Sequence, residues 1–240
     1  NTNLTHQKQN NLYGLTETFD DISKMYNEGN LPNKILLSGA KGIGKSTLAH
    51  HIINFIFSKG EENKYDVNKH SINILNKSFN LTTNNTHPNF YRVDLAIDKK
   101  FIEISQIRNM INYTNKSSFN NKEKIILLDN LEYLNNNSIN ALLKIIEEPN
   151  DNIFFILILD NNKDVLSTLK SRCLKFNLFL SNKKSIEVTN KIINDNIIDL
   201  INIDLLNYYN SPGDYINLLM FANSINLDLK NINLKNFLIL

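Results

Sequence analysis

Gly39-Ala40-Lys41-Gly42-Ile43-Gly44-Lys45-Ser46-Thr47 matches the pattern G-x-x-x-x-G-K-[ST] at every fixed position. The apolar segment Lys34–Ser38 precedes it, and Leu48, Ile52 and Ile56 follow at i, i+4 and i+8. The loop therefore joins a buried strand to an amphipathic helix. Chemistry explains the spacing. Glycines at 39, 42 and 44 let the backbone turn until successive N–H groups converge on phosphate oxygens, and the following helix adds the positive end of its dipole. Lys45 would neutralise the β- and γ-phosphates, Ser46 offers a hydroxyl to Mg²⁺, and Thr47 is the next helical residue. The expected ligands are ATP and Mg²⁺.

Outward from this loop, five strand candidates alternate with helical patterns: Lys34–Ser38, Phe90–Leu95, Lys124–Asp129, Ile153–Leu159 and Leu174–Phe179. Helices are expected over Lys45–Phe57, Ser105–Tyr113, Ser138–Glu148 and Val165–Lys170, with Pro149 directly after Glu147 and Glu148. This is the pattern of an α/β domain with a five-stranded parallel sheet. Gly60–Pro88 is polar and without sustained period, a long excursion with at most a short helix near Ser71–Leu75. His70 and His87 fall in it and read as solvated loop residues. Beyond Ser181 only helical patterns follow, at Lys184–Asn194, Ile198–Tyr209 and Asp214–Asn223, with Asn210-Ser211-Pro212-Gly213 as the turn that starts the last. The expected division is a nucleotide-binding domain over 1–179 and a small helical lid over 180–240.

Composition narrows the function. A net charge of +2 gives no global field toward nucleic acid, and the single Cys173 excludes a disulfide framework or a multi-cysteine zinc site within the chain. The first ten residues have neither a basic end nor an apolar stretch, and the longest apolar run, Ile153–Leu159, is far short of a membrane span. A cytoplasmic protein is expected, and the missing initiator Met suggests a trimmed or fragmentary chain. Asparagine is over-used, 44 of 240 residues, and Lys is favoured over Arg, a bias that reads as drift at exposed positions. Arginine survives only at Arg92, Arg108 and Arg172, so each raises the question of whether Lys could have served.

The strand KIILLD delivers Asp129 after four apolar residues, the form in which a buried strand presents a carboxylate to Mg²⁺. Many P-loop ATPases place a Glu next as the base that polarises the attacking water. Here the residue is Asn130, whose amide holds a water but cannot take its proton. Glu132, on an extended strand, would face the same side as Asn130 and is the candidate substitute. Arg172, in Ser171-Arg172-Cys173, suits either an arginine finger to a γ-phosphate or an internal salt bridge, and spacing leaves both open.

The run NSINALLKIIEEPNDNIFFILILDNNKDVLSTLKSRCLKF (Asn137–Phe176), with KIILLDNLEYL, HPNFYRVD (His87–Asp94), the P-loop and LYGL (Leu12–Leu15), resembles the bacterial clamp-loader subunits of the AAA+ class over nearly the whole chain. Within that family, Asn130, the cysteine-free excursion and Gly213 stand where the gamma/tau motor subunits have a Glu, a four-cysteine zinc module and a sensor Arg. The sensor-1 region near Leu159 and Asp160 departs from the motor as well. All of these favour the delta prime branch of DNA polymerase III. The resemblance implies a role in opening a sliding clamp and closing it on primer–template DNA, together with gamma/tau and delta subunits. Arg172 would then act in trans as an arginine finger, and this chain would have little ATPase activity alone. It also implies a helical collar domain, for which the chain ends too early at Leu240. The alternatives are a gamma/tau-type motor ATPase and a P-loop small-molecule kinase; for the latter, the absence of any Arg after Leu180 is unfavourable.

Overall fold

The computed structural model describes residues 9–96, 98–147, 152–161 and 167–239. Two compact units emerge, one comprising 1–12, 16–39 and 45–178, the other 13–15, 40–44 and 179–240.

The first unit is built on β1 (Lys34–Gly39), β2 (Phe90–Val93), β3 (Lys124–Leu128), β4 (Ile153–Asp160) and β5 (Leu174–Leu178). All neighbours run parallel, in the order β2-β3-β4-β1-β5. Central strands of a parallel sheet are covered on both faces, which explains the unbroken apolar runs: every residue of β3 is buried, as are five of the six in β1. The edge strand β5 instead alternates, with Lys175 and Asn177 exposed. Helices α1 (Thr16–Asn27), α2 (Lys45–Phe57), α3 (Lys77–Thr83), α4 (Ile104–Thr114), α5 (Asn136–Glu147) and α6 (Ser167–Lys170) complete the unit. Ile107 and Met110 of α4, and Ile139, Leu142 and Ile146 of α5, join Ile126, Leu128, Phe155 and Leu157 in one core. From β1 the chain crosses to the far edge, works back through β3 and β4, and places β5 on the other side of β1. The carboxyl ends beside β1 are where an open α/β sheet forms its ligand crevice.

The second unit contains α7 (Asn182–Ile193), α8 (Ile197–Leu200), α9 (Ile203–Tyr208), α10 (Pro212–Ser224) and α11 (Leu234–Phe237). Ile197, Ile201, Leu205, Leu206, Tyr215, Leu218, Ala222 and Leu229 form its core, and the Tyr215 hydroxyl donates to Leu206 O at 3.0 Å.

Four expectations change. His87 is half-buried rather than solvated, its ring stacked on Phe57 with centroids 4.1 Å apart. The excursion's helix lies at Lys77–Thr83, while Ser71 pairs with Asn11 and Asp66 in isolated bridges. Asn76 starts α3 by accepting from Phe79 N at 2.6 Å, and Glu61 accepts from Asn76 Nδ2 (2.8 Å) and Lys77 N (3.1 Å), so local polar caps override the weak apolar pattern. Ile198–Tyr209 is two helices, because Ile201 turns extended and Asn202 caps the second by accepting from Asp204 N. α1, not anticipated, buries Phe19 and Ile22. Residues 165–166, Glu148 and Pro149 lie outside the described residues.

Asparagine also has structural uses. Asn76, Asn196, Asn202 and Asn233 cap helices, and Asn85, Asn120, Asn130, Asn152, Asn194 and Asn226 adopt positive φ, which Asn tolerates better than other side chains. Among the described residues, no helix is long and apolar enough to cross a membrane.

Candidate functional site

In the sheet unit, Gly39 ends β1, and its carbonyl accepts from Lys45 Nζ at 2.8 Å and from Asn161 N at 3.2 Å. Lys45 is therefore buried at the first turn of α2, its ammonium tethered where the loop departs. Thr47 follows on the same helix, half-buried. Ser46 Oγ is shut off from solvent and lies beside the Asp129 carboxylate.

Asp129 lies just past β3, its N–H donating to Val93 O at 2.9 Å and its Oδ1 accepting from Asn130 N at 2.9 Å. Burial pushes its carboxyl pKa up, and the Asp94 charge adds to this. The Ser46 hydroxyl, the Asn130 N–H and the Arg92 charge pull it down. A buried carboxylate with a Ser hydroxyl beside it offers two hard oxygen ligands to a divalent cation. Among the described residues, no cluster of three or more His, Cys, Asp or Glu could hold a metal by itself. Ser46 and Asp129 thus fit Mg²⁺ that completes its shell with phosphate oxygens and water, the way this ion is ordinarily bound.

The loop residues Ala40–Gly44 group with the helical unit. Gly42 and Gly44 have φ of +81° and +96°, as the turn requires. Gly213 N, a free donor in the first turn of α10, donates to Gly42 O at 2.9 Å. A Cβ on Gly213 would come within 2.7 Å of Gly42 Cα, and one on Gly42 within 2.2 Å of Ser211 Oγ. Backbone meets backbone here, so a sensor arginine at Gly213 would have no room for its first carbon.

Glu132 does not take the place of a base beside Asn130. Residues Leu131–Tyr133 form a 3₁₀ turn rather than extended strand, and Glu132 Oε2 accepts from Asp160 N at 3.2 Å. Asn130 itself is left-handed (φ 60°, ψ 45°), and its amide donates to Asp94 Oδ1 at 2.6 Å. Arg172, after α6, forms an ion pair with Glu147 Oε1 at 2.7 Å and donates to Thr168 O at 2.7 Å, with both charged side chains at the surface. The sequence had not singled out Asp94 or Glu147 as partners; the one available signal was the retained Arg92, which pairs with Asp94.

DNA polymerase III subunit gamma of Buchnera aphidicola subsp. Schizaphis graminum is 33% identical over 222 residues, covering 90% of this chain and 58% of that protein. Subunit delta' of Buchnera aphidicola subsp. Baizongia pistaciae is 31% identical over 160 residues (64% and 46%), and that of Haemophilus influenzae 25% over 170 (71% and 50%). The chain thus spans about half the length of the curated relatives it matches. Among solved structures, the Thermotoga maritima RuvB Holliday junction branch migration motor superposes with a TM-score of 0.52 at 16% identity, covering 95% of this chain and 70% of that one, a likeness of fold. A sequence model of the family described as DNA polymerase III, delta subunit, matches residues 14–181, through the loop, Asp129 and the Ser171-Arg172-Cys173 turn, and the chain belongs to that family.

Proposed function

We propose that this chain is a delta prime-type subunit of a replicative clamp loader, one that binds ATP with Mg²⁺ and does not itself hydrolyse it at a useful rate. The observation that carries the reading is Asn130 beside Asp129: the strand end has its metal-directed carboxylate, while the next side chain is an amide already committed to Asp94. In this reading Gly39, Gly42 and Gly44 shape the phosphate cradle. Lys45 exchanges the Gly39 carbonyl for β- and γ-phosphate oxygens, and Thr47 anchors the start of the helix. Ser46 and Asp129 hold the cation on the nucleotide; bound there, Mg²⁺ supplies charge neutralisation between the phosphates. No residue at 130 removes a proton from water, so the bound nucleotide serves structure and assembly.

Arg172 would act outside this site, leaving Glu147 to meet the γ-phosphate held by a neighbouring subunit. The partners on this reading are the gamma/tau and delta subunits, the sliding clamp and primer–template DNA, in the cytoplasm, with domains over 1–179 and 180–240. A motor role of the gamma/tau kind is the second reading, favoured by the gamma relative that covers 90% of the chain. Reconstitution with gamma/tau and delta subunits, clamp and primed DNA tests the proposal. The chain should co-elute with the complex, and Arg172→Ala should depress its ATPase rate without releasing the chain. Failure to enter the complex, or a complex whose turnover depends on this chain's own Lys45 and not on Arg172, would overturn it.

A further inference from the structure

The amide at position 130 has its partner one strand away, in Asp94. β2 and β3 run side by side, with Val93 opposite Leu128, and Asp129 N donating to Val93 O carries the ladder one step further. Asp94 and Asn130 therefore leave the sheet together. Asp94 is closely surrounded by donors: Oδ1 accepts from Asn130 Nδ2 at 2.6 Å and from Leu95 N at 2.7 Å, and Oδ2 pairs with Arg92. The Arg92 and Asp94 side chains are only 14% and 24% exposed. Gln106 Nε2 fixes the backbone from the other side, donating to Asp94 O at 3.0 Å.

A carboxylate only accepts hydrogen bonds, so its neighbour at 130 must donate. Asn does so with a short side chain that tolerates the left-handed backbone found there. A glutamate at 130 would set two carboxylates against one another, a like-charge contact in partly buried surroundings where water screens little.

We propose that Asp94 is a positioning residue that dictates an amide at position 130 and so keeps a general base away from the Asp129 site. This rests on the nucleotide-site reading above and deepens it: the missing base is a property of two adjacent strand ends, and exchanging the pair should restore it. With an amide at position 94 donating and a carboxylate at position 130 accepting, the hydrogen bond persists in reverse and a carboxylate stands next to Asp129.

The test is a four-protein cycle on the full chain: wild type, Asp94→Asn, Asn130→Glu and the double variant. Chemical denaturation gives the coupling, since left-handed strain at 130 and loss of the Arg92 ion pair cancel across the cycle. The unfolding penalty of Asn130→Glu should be smaller in the Asp94→Asn background, by about tenfold in the unfolding equilibrium. An equal penalty in both backgrounds overturns the proposal. MgATP turnover is the functional readout: the double variant should exceed Asn130→Glu by at least about tenfold, within the range of a positioned base. A single variant as fast as the double overturns the proposal, and turnover by neither overturns the claim that the exchange restores a base. MgATP affinity, measured separately on all four, distinguishes the nucleotide-site reading from this one: if none binds, that reading fails, whereas the stability coupling still decides the role of Asp94.

Discussion

Arg172 reaches back to the last turn of α5, its Nη2 2.7 Å from Glu147 Oε1, and the two side chains are 36% and 47% exposed. An ion pair this open is worth about 0–1 kcal/mol, because water and salt screen it and two long side chains must be held in place. It orders the guanidinium without committing it. In the proposed clamp-loader role, a γ-phosphate at a subunit interface would be the stronger partner, taking planar, charge-assisted hydrogen bonds away from bulk water.

Glu147→Gln should therefore lower stability by less than about 1 kcal/mol. Arg172→Lys should lower the ATPase of an assembled loader by well over tenfold, since an arginine finger contributes about 10³- to 10⁵-fold and an ammonium lacks its fork. Steady-state turnover with clamp and primed DNA, beside thermal melts of the isolated chain, checks both. A melting temperature that falls while turnover holds would make the ion pair Arg172's whole role.

Gly213→Ala should disturb the loop directly. The new methyl meets the Gly42 backbone at 2.7 Å, closer than folded proteins allow, and the Gly213 N–H to Gly42 O bond must lengthen or break. Ordinary overpacking costs about 1–3 kcal/mol. Denaturant melts measure that loss, and nucleotide titration should show weaker binding at the loop. A variant as stable as wild type with unchanged affinity would mean that the contact is not formed in solution.

His51 predicts the acid response. Its ring is buried with Nδ1 2.8 Å from the Tyr65 hydroxyl and Nε2 3.0 Å from Gln9 O, so Nε2 carries the proton and Nδ1 accepts. Burial is the main cause that lowers its pKa to about 4, from an ordinary value of 6.5. The unfolded chain thus binds a proton that the folded chain refuses. The associated stability is fully present above pH 6.5 and is lost progressively as pH falls toward 4. At pH 5 the share of His51 in the loss should be about 2 kcal/mol, beside that of His87, whose pKa burial likewise lowers to about 4. Urea melts at pH 7 and pH 5 should show it in wild type, and His51→Gln should flatten the slope even though it lowers stability at pH 7. Equal slopes in the two proteins would refute the assignment.

β1, β3 and β4 were legible because each is a short, largely apolar run bounded by polar turns and buried on both faces, so no alternation was needed to find them. The Gly39–Thr47 loop was legible because phosphate chemistry constrains residue types at fixed spacing. What stayed hidden depends on contacts distant in sequence. Asp94 and Asn130 are 36 residues apart and meet only once β2 and β3 pair. The Arg172–Glu147 pair is likewise invisible until α5 and α6 are placed. The helix at Lys77–Thr83 lies beyond the Ser71–Leu75 segment that apolar pattern favours, because its start is set by Asn76 and Glu61, polar caps that hydrophobic period does not register.

The proposed site holds nucleotide without turning it over, and calorimetric titration of the purified chain with MgATP, followed by turnover of the same sample, tests this directly. Binding should be saturable and weakened by a few kcal/mol in Lys45→Ala, the scale of a lost buried charged contact, while turnover stays far below about 1 per second. No binding by the wild-type chain, or turnover at that rate or faster with Asn130 in place, would contradict it.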